Sequence, residues 1–136
     1  MTRSEMSKFL WNRLGLTLFL SGLFTAIIIL TLFSEGYDGL EAHQALTLFV
    51  LAGIFWAFFL TLCAVTVFFN LDPTVANNRL YNFLSYFFLP LAAIITIAII
   101  MPASDAWWQY IATTVPFLVV HTCFYIQFNK RLATGK

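Results

Sequence analysis

The chain is poor in charge: seven Lys or Arg and six Asp or Glu in 136 residues. Soluble globular chains carry about 25% charged residues, and this one carries 10%. With 61% hydrophobic residues, an ordinary soluble domain is excluded, because it would expose too much apolar surface. A disordered chain is excluded for the opposite reason, since disorder needs low hydrophobicity. A net charge of +1 leaves no basic field, so no nucleic-acid partner is expected. Cysteine is scarce as well. Cys63 and Cys123 cannot build a disulfide scaffold, and neither lies in a C-x-x-C redox motif. His43 and His121 are too few and too far apart for paired haem ligation, and zinc takes three or four ligands. There is no P-loop, H-E-x-x-H or paired-carboxylate motif. These absences predict a protein that is not an enzyme and holds no cofactor or metal.

Long apolar runs are what the chain has. Crossing a hydrocarbon core of about 30 Å takes about 20 apolar residues in a helix. Four stretches reach that length, at about 14–33, 46–69, 80–101 and 107–128, and none contains Asp, Glu, Lys or Arg. They are continuously apolar, whereas barrel strands alternate, so helices are predicted. The expected fold is an all-α integral membrane protein embedded in the lipid bilayer, one domain over 1–136. Short connections make sequential helices antiparallel neighbours, which predicts an up-down-up-down four-helix bundle.

The charges sort by loop. Arg3, Lys8 and Arg13 precede the first stretch, Arg79 falls between the second and third, and Lys130, Arg131 and Lys136 follow the fourth. The other two loops carry Glu35, Asp38, Glu41 and Asp105. The positive-inside rule then puts both termini in the cytoplasm of a multi-pass protein. The expected location is the plasma membrane, or the inner membrane if the source is bacterial. The first stretch is too long for a signal-peptide core and lacks an A-x-A-like site, so it reads as an uncleaved anchor. Asn70-Leu71-Asp72-Pro73 reads as a helix stop and a turn. Trp107, Trp108 and Tyr110 belong at the outer interface and Trp11 at the inner one.

Polar residues inside membrane spans are the informative ones. Thr17, Ser21 and Thr25 recur every four residues with Gly22 beside them, which reads as a helix-packing stripe. In the fourth stretch Tyr110, Thr114, Phe117, His121 and Tyr125 share one face. Pro90 and Pro116 each remove a backbone donor. At the helical rise of 1.5 Å per residue, Ser21, Cys63, Tyr86 and His121 fall in one layer about 10 Å inside the cytoplasmic surface. That predicts an interhelical network in which His121 is satisfied by Ser21, Ser85 or Tyr86. His121 is the strongest single candidate for a functional residue. Glu35, Asp38 and Glu41 form a candidate outer recognition loop for a basic partner.

Size and topology resemble the small multidrug resistance transporters. That family works through a carboxylate in its first helix, and the first stretch here offers only Thr and Ser, so the resemblance is rejected and no family is assigned. Two functional readings follow. In the first, the chain binds another membrane protein, or a second copy of itself, and modulates or blocks it. An immunity protein against a pore-forming toxin and an accessory subunit of a membrane complex are concrete forms of this reading. In the second, it is a small oligomeric channel or carrier for a neutral or lipid-linked solute, lined by the fourth stretch and hinged at Pro90 and Pro116.

Overall fold

The computed structural model describes residues 3–33, 40–100 and 107–134, of which all but Asp72 and Asn78 are helical. The elements are α1 (Arg3–Phe33), α2 (Leu40–Cys63), a 3₁₀ segment (Ala64–Leu71), α3 (Pro73–Asn77), α4 (Arg79–Ile100) and α5 (Trp107–Thr134). Four helical stretches are long and apolar enough to cross a membrane: Arg3–Leu32, His43–Leu71, Arg79–Ile100 and Trp107–Thr134.

Three boundaries differ from those read off the apolar runs. α1 starts at Arg3 rather than near residue 14, because its first turns are amphipathic and have something to bury against. Phe9 and Leu10 are buried, Phe9 stacks on Phe128 of α5 at 6.2 Å, and Trp11 meets Phe68 at 5.0 Å. α5 likewise continues to Thr134, since Phe128 and Leu132 pack into the same cluster.

The third difference lies in the second span, which is not one α-helix. It changes to 3₁₀ geometry at Ala64 and keeps it for eight residues, longer than the three or four usual for this helix type. With three residues per turn, positions three apart line up. Ala64, Val67 and Asn70 are the buried residues of the segment, so the tighter winding gathers them into one inward stripe. After it, Asp72 caps α3 by accepting from Thr74 N at 2.8 Å, with Pro73 in the first turn. The expected turn at residues 70–73 therefore continues into a short helix.

α1 packs along α2 and α5, while α4 lies mainly against the 3₁₀ segment. α4 and α5 meet through large side chains rather than close backbone approach: Phe83, Tyr86 and Phe87 of α4 contact Tyr125, and Tyr86 and Phe87 also contact His121. The tightest approach is at Gly53 of α2. A Cβ there would sit 2.7 Å from Thr25 Cγ2 of α1 and 2.8 Å from Thr113 Cγ2 of α5. Three helices converge on a residue that has no side chain.

Candidate functional site

Pro90 governs the local chemistry of α4. A proline inside a helix has no N–H, so the carbonyl four residues earlier loses its intrahelical partner. That carbonyl is Tyr86 O. It does not go unpaired: His121 Nε2 of α5 lies 2.9 Å from it. A carbonyl oxygen only accepts, so Nε2 carries the proton and Nδ1 keeps its lone pair. The imidazole is 2% exposed and held by rings on several sides. Phe117 stacks on it at 5.2 Å, Tyr86 lies tilted at 5.5 Å, and Phe87 meets it edge-on at 5.4 Å. His121 thus donates across the helix interface to an acceptor that the proline set free.

Of the three partners expected for His121, it is Tyr86 that the imidazole meets. The bond goes to the Tyr86 backbone, not to a hydroxyl. Ser21 Oγ donates within α1, to Thr17 O at 2.6 Å, because a serine in a helix reaches its own preceding turn. Ser85 Oγ donates to Asn82 O at 2.7 Å and accepts from Asn70 Nδ2. Cys63 is half-buried with a free thiol.

The face expected on α5 does point inward. Tyr110, Thr114, Phe117 and His121 are buried and Tyr125 is half-buried. Tyr110 Oη donates to Ile94 O of α4, and Thr114 Oγ1 accepts from Trp56 Nε1 of α2 at 3.1 Å. Its polar groups therefore tie helices together.

In the α1 stripe, Thr17, Ser21 and Thr25 are all buried. Gly22 is buried beside them, and a Cβ there would meet nothing within 4 Å. One residue on from Ser21, it is turned about 100° around the helix axis. It is one of the residues lining an apolar groove between α1 and α2. Glu35 and Asp38 lie outside the described residues, as does the side chain of Glu41, whose backbone belongs to α2.

Three features were not read from the sequence. One is a polar chain formed by the 3₁₀ segment, α4 and α5: Thr66 Oγ1 donates to Ser85 O at 2.7 Å, Asn70 joins Ser85, and Asn82 Nδ2 donates to Asn129 Oδ1 at 2.7 Å. Asn70 and Asn82 are fully or almost fully buried. Three amides bordering apolar runs were the available signal, since buried amides are expensive unless bonded. The second is Gly53, which no spacing marks. The third is Arg13, read as a loop charge. Its guanidinium carbon lies 4.9 Å from the ring centroids of both Phe9 and Phe124, a cation–π sandwich.

Among the described residues no group of three or more His, Cys, Asp or Glu is placed to hold a metal ion. Compared with family models, with the curated proteins and with solved structures, the chain matches none.

Proposed function

We propose that this chain is a non-enzymatic, multi-pass membrane protein that binds a transmembrane segment of another protein laterally and so modulates or blocks it. An immunity protein against a pore-forming toxin and an accessory subunit of a membrane complex both fit this reading. It takes the chain as an up-down-up-down bundle with both termini in the cytoplasm. Its membrane is the plasma membrane, or the inner membrane of a bacterium.

The observation that carries the proposal is the groove between α1 and α2. It has a volume of about 610 Å³ and is lined by Phe19, Gly22, Ala26, Phe55 and Phe58 among others. Gly22 and Ala26 are small residues four apart, the spacing that lets a second helix come close in lipid. Phe19, Phe55 and Phe58 flank them and are exposed. The recess is apolar, so a helix crossing the same membrane is a fitting occupant.

The polar face of α5 supports the same choice over a conduit. The Tyr110 and Thr114 hydroxyls and the His121 imidazole make bonds between helices, and the cavity beside His121 is about 10 Å³. The test is capture from mild detergent extracts with Gly22→Leu as the control. A partner recovered with the native chain and lost with Gly22→Leu supports the proposal. Recovery of this chain alone, across several mild detergents, counts against it, and flux through proteoliposomes of the pure protein would favour the channel reading.

A further inference from the structure

Arg13 and His121 share a cavity. It is about 10 Å³ and is lined by Arg13, Thr17, Tyr86 and His121 together with apolar side chains. Arg13 Nε is buried with no hydrogen-bond partner among the described residues. The two phenyl rings around the guanidinium offer it faces but no acceptor for that N–H.

His121 and Thr17 at this cavity have their protons committed. His121 has its Nε2 proton on Tyr86 O, which leaves the Nδ1 lone pair. Thr17 Oγ1 donates to Arg13 O at 2.8 Å, which leaves that oxygen able to accept. The Arg13 Nε–H and these two available acceptors border a space of single-water size. A water needs about 10–15 Å³ on this measure and two to four polar partners.

We propose that this cavity binds one water molecule, which accepts from Arg13 Nε–H and donates to His121 Nδ1 and Thr17 Oγ1. The site joins α1 through Arg13 and Thr17 to α5 through His121. Through Nε2 it reaches the interrupted turn of α4. It is a clamp and not a proton relay. A proton delivered to Nδ1 would have to leave from Nε2, and Nε2 faces a carbonyl oxygen, which is not a base.

The test is ¹⁵N-histidine solid-state NMR on the full chain in lipid bilayers, with His43→Gln leaving His121 as the sole histidine. The expected result is a proton on Nε2, a bare Nδ1 with a hydrogen-bonded shift, and magnetisation transfer from water to Nδ1. Arg13→Met keeps the stem and removes the donor, and it is expected to lose the water contact while Nε2–H stays in place. A proton on Nδ1, or no water contact at Nδ1 in the chain with Arg13 intact, overturns the proposal. So does a water contact that persists unchanged in Arg13→Met. The Arg13-intact chain alone can refute it, so the proposal does not depend on that variant folding.

Discussion

Two glycines of the bundle make opposite predictions. At Gly53 an added methyl meets Thr25 Cγ2 and Thr113 Cγ2 inside van der Waals distance. Both neighbours are β-branched and stiff at χ1, so they yield poorly. Gly53→Ala is expected to cost about 1–3 kcal/mol, the range for overpacking a filled interior. Gly22→Ala is expected to be close to neutral, since open space surrounds its missing side chain. Unfolding midpoints in one detergent check the pair, and equal losses would refute the packing assignment. These residues also mark what was legible in the sequence. Four-residue spacing placed Thr17, Ser21 and Thr25 on one buried face, because the helical period decides that without knowledge of a partner. Which glycine touches a neighbour depends on how three helices meet, and no local pattern in 46–69 encodes that. Likewise His121 stood out as a polar residue in an apolar run with Tyr86 among its expected partners, but that the acceptor is the Tyr86 backbone carbonyl was not legible. The bond to Tyr86 O follows from Pro90 only once α4 and α5 are known to face each other.

At the scale of an element, α4 carries an interruption that another helix repairs. A bond of this kind in a membrane interior is worth about 0.6 kcal/mol on average, while an orphaned buried acceptor costs about 1–3 kcal/mol. His121→Leu should therefore destabilise the protein by more than the bond's net worth. Pro90→Ala supplies an N–H to the same carbonyl from within α4. In that background the cost of His121→Leu is expected to shrink. A double-mutant cycle on unfolding free energies measures the coupling, and strict additivity would show that the two residues do not share the Tyr86 carbonyl.

α3 gives a second prediction at the same scale. The Asp72 carboxylate accepts from both the Thr74 hydroxyl and the Thr74 N–H. Those bonds, chiefly the hydroxyl, hold its pKa below the usual carboxylate value, and the charge of Arg3 adds to them. A depressed folded value means the cap stabilises above the unfolded value of about 3.9 and fades as pH falls through the folded one. The stability difference between the native chain and Asp72→Ala should accordingly be present at neutral pH and vanish on acidification. A difference independent of pH would remove the carboxylate from the cap. The 3₁₀ segment just before it was not legible, since its signal is the burial of Ala64, Val67 and Asn70 at intervals of three, and burial is a property of the assembled chain.

For the whole molecule, the strongest sequence signals were the number and type of the spans, because apolar length is the physical requirement for crossing lipid. The four helices meet that requirement. Their direction rests on charge. All seven Lys and Arg lie outside the four apolar runs, and in the proposed arrangement of four crossings every one of them falls on a single side. Phe9 stacks on Phe128, and the Arg131 guanidinium carbon lies 4.6 Å from the centroid of the Phe9 ring, so the start of α1 and the end of α5 adjoin. With Cys63 and Cys123 changed to Ala, Asp38→Cys should react with a membrane-impermeant thiol reagent applied from outside. Ala133→Cys should react only after the membrane is opened. Labelling of both positions from the same side would break the four-crossing arrangement. It would also undo the lateral-binding proposal, because the α1–α2 groove would no longer run along two adjacent crossings where a transmembrane partner could lie.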